Sequence, residues 1–348
     1  MRTNSRLGKL ILFGSGETSE TGKAIHRKIL SAIGEKQSVA ILETPAGFQP
    51  NSYQVAKDIK DIFDTTLTEF VKNSTIIPAR KKGSLFSPDD PAIANQAENY
   101  SYFFLGPGSP TYAFRQLKDS LVWKKILEKW KKGASICLSS AGALASGKYT
   151  LPVYEIYKAG AELHWEKGLD IFKETGISLT IVTHWNNREG GKELDTRFCY
   201  MGEERFQHLK NLLPRDSTIL GIDEHTAVLF DFERKTFSVI GIGNAYAIQD
   251  TKVVTFDPGK YYELRSIRKL RKYLASSPKR KKLSTKIKSA RKTIPINQLP
   301  WQLQSLLKTR DGLKNKKEYK KADAIRNKLE LEGYELRDSE RGQNVYKK

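Results

Sequence analysis

The chain has 348 residues, with 60 Lys and Arg against 39 Asp and Glu, a formal net charge of +21, five histidines and two cysteines. That length affords one large domain with an appendage, or two domains, each with a core of ordinary apolar content. Two cysteines, Cys137 and Cys199, exclude a disulfide framework and a paired metal motif. The start, Met1 to Leu12, has no secretory apolar region, and the longest apolar runs are near strand length. The expectations are a cytoplasmic protein, no membrane span, no metal and no cofactor. The charge is uneven: residues 260–348 hold 27 Lys and Arg against 9 Asp and Glu, and residues 1–259 hold 33 against 30. A near-neutral body with a polyanion-binding extension follows from that split.

Leu10-Ile11-Leu12-Phe13 reads as a first buried strand, followed by the loop Gly14-Ser15-Gly16-Glu17-Thr18-Ser19 and a helix from Gly22 to Ile33. The third glycine of a dinucleotide fingerprint is missing, as is any Gly-Lys-Thr/Ser, so the loop reads as a tight turn. Val39 to Leu42 is a second strand, Val55 to Phe63 a helix, Ser74 to Ile77 a third strand and Tyr102 to Leu105 a fourth. This alternation builds a mostly parallel sheet covered by helices. After the fourth strand comes Gly106-Pro107-Gly108-Ser109-Pro110-Thr111, where two glycines let backbone N–H groups face a ligand, then helices over Ala113 to Leu117 and Leu121 to Lys132.

Ile136 to Leu138 is a further strand that stops at Ser139-Ser140 and passes into Ala141, Gly142, Ala143 and Ala145. A strand-to-helix turn with small neighbours holds its serine hydroxyl above the sheet edge, as in a nucleophile elbow. Gly142 stands where the closing glycine of G-x-S-x-G belongs, and Leu138 replaces the opening one. Beyond a looser stretch over Tyr149 to Phe172, Leu179 to Val182 is a strand ending at Thr183-His184-Trp185. Thr196 to Leu213 reads as a helix, and Ile219 to Phe230, Phe237 to Ile242 and Ala245 to Phe256 read as closing β-structure, with a domain end at Asp257-Pro258-Gly259.

A serine hydroxyl needs a base within hydrogen-bond reach and an acid to orient that base. His26 and His208 fall on helices and His164 in an irregular segment, where packing or solvated roles are expected. His184, at a strand end on the same sheet edge as Ser140, is the candidate base. His225, beside Glu224, is expected to point to the opposite face of its strand.

Residues 9–257 resemble the cyanophycinase and dipeptidase E group of serine peptidases, which share the fold of the class I glutamine amidotransferases, a flavodoxin-like α/β architecture. The resemblance rests on the first loop ending in Glu17, on Phe104-Leu105-Gly106-Pro107-Gly108, Ser139-Ser140-Ala141-Gly142-Ala143 and His184, and on Gly221-Ile222-Asp223-Glu224-x-Thr226-Ala227. It implies a serine hydrolase of the peptidase or amidase type acting on a peptide or acyl substrate. Ser140 would be the nucleophile, His184 the base and Glu224 the acid, with Asp223 beside it and Glu155 as the alternative. The backbone N–H groups of Gly108 and Ala141 would form the oxyanion hole. Members that cleave cyanophycin carry Asp-Gln before the histidine and several arginines after it. Val182-Thr183 stand here instead, and Arg188 and Arg197 are left as substrate-binding candidates, so cyanophycin is not the expected substrate. A protein that keeps this fold as a scaffold without the reaction is the other reading. Dimers are common among such folds, so a homodimer is also carried as an expectation.

The tail begins with a basic helix and linker over residues 260–300. Lys260 to Lys292 holds 14 Lys and Arg with one acidic residue, and Leu264, Ile267, Leu270 and Leu274 recur at helical spacing before Lys279-Arg280-Lys281-Lys282. Residues 301–348 resemble the carboxyl-terminal module of cysteinyl-tRNA synthetases, a helical unit ending in a short β-hairpin. The match lies in Ala322-Asp323-x-Ile325-Arg326-x-x-Leu329, Gly333-Tyr334-x-Leu336-x-Asp338 and Gly342. It implies an RNA partner, tRNA foremost and ribosomal RNA as the alternative. Lys279, Arg280, Lys281, Lys282, Lys317, Lys320, Lys321 and Arg326 are the candidate contacts. No adenylation motif accompanies the module, which excludes aminoacylation.

Overall fold

The computed structural model describes residues 7–268, 299, 301–315, 318, 321–323, 325, 326, 329, 334–339 and 342–347. Two compact units are present, Met1–Ser277 and Pro278–Lys348.

In the first unit the expected alternation of strand and helix is realised. Strands β1 (Leu10–Phe13), β2 (Gln37–Leu42), β3 (Val71–Ile77), β4 (Tyr102–Leu105) and β5 (Ser135–Ser139) run parallel in the order β1-β5-β4-β2-β3. Helices α1 (Glu20–Ile33), α2 (Ser52–Thr65), α3 (Pro91–Gln96), α4 (Pro110–Leu117) and α5 (Leu121–Lys131) connect them, and α6 (Ala141–Ser146) follows β5. The inner strands β1 and β4 read as continuous apolar runs because both faces are covered, whereas the edge strand β3 carries exposed Lys72 and Asn73. Ile11, Phe13, Val39, Ile41, Tyr102 and Phe104 face α1 and α2, and Leu10, Leu12, Ala40, Leu42, Phe103 and Leu105 face the opposite core with Trp123, Ile126 and Trp130 of α5. The protein is thus α/β, with a large, mostly parallel central sheet flanked by helices.

The short strands β6 (Tyr149–Thr150) and β7 (Glu166–Lys167) pair with each other. After β8 (Leu179–Val182) the structure departs from the sequence reading. The Ile219 to Phe230 run is not one strand but two, β9 (Thr218–Ile222) and β10 (Thr226–Asp231), in different sheets. β10 lies antiparallel to β1, and β11 (Thr236–Gly241) lies antiparallel to β10, extending the central sheet. β9 pairs parallel with β8 and antiparallel with β12 (Ala245–Gln249), which pairs with β13 (Lys252–Phe256) to complete a four-stranded second sheet. The chain continues beyond Gly259: β14 (Tyr261–Glu263) pairs with β11, and Ile267 enters the core, because Tyr262 and Ile267 supply apolar surface that the basic composition around them conceals.

The expected helix over Thr196 to Leu213 is also interrupted. Phe198, Cys199 and Tyr200 have φ of 56°, 56° and 68°, and a regular helix spans only Gly202–Leu212. Consecutive left-handed residues without glycine cost on the order of 1–3 kcal/mol each and persist where surrounding contacts fix them. Here the Phe198 and Cys199 N–H groups donate to the Trp185 and His184 carbonyls, at 3.0 and 3.2 Å.

His26 of α1 is 1% exposed within the α1/α2 face, with the rings of Phe13, Phe63 and Phe104 at 4.7, 5.4 and 5.8 Å. Burial pushes its imidazole from the ordinary 6.5 down to about 4, against the opposing effect of a hydrogen bond to the Glu17 backbone. Between those values the unfolded chain takes up a proton that the folded protein refuses. The contribution of the neutral ring is therefore complete above pH 6.5 and lost as pH falls to about 4, some ~3 kcal/mol in all. In urea unfolding at pH 7.5 and 4.5, His26→Leu is expected to lose about 2 kcal/mol less than the unaltered protein.

The second unit contains a helix, Trp301–Asn315, and the hairpin β15 (Tyr334–Ser339) and β16 (Gly342–Lys347), paired antiparallel from Tyr334↔Lys347 to Ser339↔Gly342. Leu299, Leu303, Leu307, Leu329, Leu336 and Val345 form its core. No helix among the described residues is long and apolar enough to cross a membrane.

Candidate active site

β5 stops at Ser139 because the next residue turns sharply: Ser140 has φ 48° and ψ −110°, and α6 begins at once with six buried residues. A Cβ at Gly142 would lie 2.7 Å from the Leu105 carbonyl oxygen, so the glycine allows α6 to start against the β4 end. Leu138, in place of the opening glycine of the elbow pattern, is a strand residue buried in the same core as Leu12 and Leu105, and the turn forms without that glycine. The neighbouring Ser139 hydroxyl donates to the buried Glu17 carboxylate at 2.8 Å.

His184 follows β8, so it comes from the second sheet and not, as the sequence reading had it, from the sheet that carries Ser140. Its φ is 48°, and its N–H donates to the Gly14 carbonyl at 3.2 Å. The following Trp185 anchors this segment against Phe198, Phe206 and Tyr246, at 4.6, 5.1 and 5.5 Å. Gly221 makes room for it, since a Cβ there would lie 2.3 Å from the indole.

Three side chains meet at this junction. Ser140 Oγ lies 2.9 Å from His184 Nε2, and His184 Nδ1 lies 2.8 Å from Glu224 Oε1. Glu224 sits on the corner where the chain leaves β9 and enters β10. Asn187 Nδ2 donates to the same carboxylate oxygen at 2.9 Å, and the Glu224 N–H donates to Asn186 Oδ1 at 2.8 Å. The hydrogen bond from His184, with the second from Asn187, holds the Glu224 carboxyl below the usual carboxylate range against the opposing effect of partial burial. With a proton on Nδ1 toward Glu224, Nε2 is free to accept the Ser140 hydroxyl proton.

The other acids are engaged elsewhere. Asp223 accepts from the Asn244 N–H at 2.8 Å and from Tyr246 at 3.2 Å, and burial pushes its carboxyl up. Glu155 accepts from Thr111 Oγ1 at 2.5 Å. His225 is on the corner, not in a strand, with φ 54° and Nδ1 at 3.2 Å from Ser19 Oγ. His164 lies beside the Glu162 carbonyl, and His208 is exposed on its helix. Burial raises both thiols, Cys199 to about 12.

Among the described residues, no acceptor takes the Gly108 or Ala141 N–H. Gly108 has φ 146°, and a Cβ there would lie 1.9 Å from the Pro45 carbonyl oxygen, so this turn needs glycine. A cavity of about 380 Å³ opens beside Ser140 and His184, bordered by Gly108, Ala141, Tyr154, Tyr157 and Tyr200. Arg188 and Arg197 do not border it. Arg188 is exposed, and the left-handed turn leaves Arg197 paired with Asp195 and Glu203 at 2.8 and 3.2 Å.

Sequence reasoning missed Asn187, Glu189, Lys158 and the three tyrosines. The Asn186-Asn187 pair directly after His184-Trp185 was the available signal for the amide contacts; Tyr200 reaches the cavity through a turn that no glycine announces, and Tyr154 and Tyr157 come from the short helical stretch Tyr154–Lys158. In the second unit, Lys321 pairs with Glu318 at 2.6 Å and Arg326 lies 3.8 Å from Asp323. Lys279, Arg280, Lys281, Lys282, Lys317 and Lys320 lie outside the described residues.

No family model matches the chain, and no curated protein matches it. Among solved structures, a peptidase from an acI-B1 Actinobacterium superposes with a TM-score of 0.60 at 19% identity, covering 74% of this chain and 98% of its own. A candidate peptidase E from Listeria monocytogenes EGD-e gives a TM-score of 0.42 at 14% identity, over 72% of this chain and 98% of its own. The chain has a peptidase-like α/β fold.

Proposed function

We propose that the body is a serine hydrolase of the peptidase or amidase type, held to RNA in the cytoplasm by its basic tail. The observation that carries the hydrolase reading is the continuous Ser140–His184–Glu224 chain at a strained elbow, facing a cavity bordered by two free backbone N–H groups. Ser140 attacks the substrate carbonyl and His184 takes its proton, while Glu224 stabilises the imidazolium. The Gly108 and Ala141 N–H groups receive the oxyanion. His184 then protonates the leaving group, and water releases the acyl group by the reverse sequence. A fluorophosphonate probe tests this: labelling of the chain that disappears in Ser140→Ala is the expected result, and an unlabelled, folded protein overturns it.

The RNA reading, with tRNA foremost, is supported by the charge concentrated in residues 260–348 and by the resemblance of residues 301–348. Changing Lys279, Arg280, Lys281 and Lys282 together to alanine is expected to lower the slope of log affinity for RNA against log salt by about 3. An unchanged slope and affinity would remove that run from the interface.

A further inference from the structure

The cavity beside Ser140 is divided in character. Its interior is formed by Leu144, Val153 and the rings of Tyr154, Tyr157 and Tyr200. Tyr157 and Tyr200 form a tilted pair 5.2 Å apart, and Tyr200 continues the wall to the His184 ring at 5.8 Å. The charges belong to two exposed residues, Lys158 and Glu189, and each is turned onto a tyrosine of the cavity. The Lys158 ammonium sits 4.9 Å from the centre of the Tyr154 ring, and the Glu189 carboxylate accepts from the Tyr200 hydroxyl at 2.8 Å. One positive and one negative group leave the rim without a net charge, and no arginine among the described residues borders the space.

We infer that this cavity is the acyl-side pocket for an aromatic side chain, an inference that rests on Ser140 being the nucleophile. Rings attract further rings in tilted or edge-on contact, and a volume of about 380 Å³ accommodates a benzyl or indolyl group. An acidic side chain would exchange its hydration for an apolar interior, with Glu189 as a like charge and the Lys158 ammonium already on a ring face. The strained turn at 198–200 supports the same reading, since it is this conformation that brings Tyr200 to the wall.

Binding to Ser140→Ala, which retains the pocket and cannot turn substrate over, tests the inference by calorimetry with L-phenylalaninamide and L-aspartic acid α-amide. The phenylalanine amide is expected to bind at least roughly tenfold more tightly, and Tyr157→Ala in the same background to reduce that preference to about threefold. Equal or tighter binding of the aspartic amide, or no binding of the phenylalanine amide up to about 10 mM, overturns it. The hydrolase reading has its own readout in probe labelling of the unaltered serine. Labelling with no aromatic preference removes the aromatic pocket alone, and preference without labelling removes the hydrolase and the acyl-side role together, leaving a cavity that binds aromatic groups.

Discussion

Ser140→Ala and His184→Ala are each expected to lower kcat by about a million-fold, and the double variant to be no worse than either alone. In the proposed mechanism the two side chains act as a unit: without Nε2 the hydroxyl has no acceptor at 2.9 Å, and without Oγ the imidazole has no proton to move. Folding should survive both changes, because the chain at Ser140 is held by backbone bonds, from its N–H to the Phe13 carbonyl and from the Leu144 N–H to its own carbonyl. Steady-state rates beside circular dichroism and thermal melts check this. Additive losses in the double variant would show that the pair is not one device.

Glu224→Gln is the second large effect, expected at about ten-thousand-fold in kcat with little change in KM. The amide can present its NH₂ or its oxygen to His184 Nδ1, but it carries no charge to stabilise the imidazolium, and it competes with Asn187 for orientation. Because the carboxyl is held below the usual range, Glu224 stays ionised through mildly acid pH in the folded protein. The sign follows: this contribution to stability is present above the ordinary carboxylate pKa and is lost as pH falls through the depressed one. A rate comparison of the glutamine variant at neutral pH decides the point; a loss of less than about tenfold would move the orienting role to another acid.

Much of this site was legible because local chemistry and global position agreed. Ile136 to Leu138 followed by Ala141, Gly142 and Ala143 can form little else than a buried strand running into a close-packed helix, and that is where β5 and α6 lie. Five parallel strands were visible as apolar runs for the same reason. The division into two sheets was hidden, since Ile219 to Phe230 has β character almost throughout and only Asp223-Glu224-His225 interrupts it. The turn at Phe198-Cys199-Tyr200 was hidden more deeply. Its residues are not those that favour left-handed backbone, so tertiary contacts with His184 and Trp185 impose it. Arg197, two residues from Asp195, is held by that carboxylate through its N–H and its guanidinium, a local pairing that its place at a helix start did not reveal.

The corner between β9 and β10 has a mechanical consequence. Ser140 rides on the eight-stranded sheet, His184 on the four-stranded one, and Glu224 on the chain that crosses between them. The three side chains therefore act as a gauge of the spacing between two layers. A slip of about 1 Å between the layers would stretch a contact on which the proposed proton transfer depends while leaving either core intact. Hydrolysis would then fade before the aromatic clusters register any loosening, and selection for the chemistry would bear on the packing of a layer, β12 and β13 included, that holds no reacting atom.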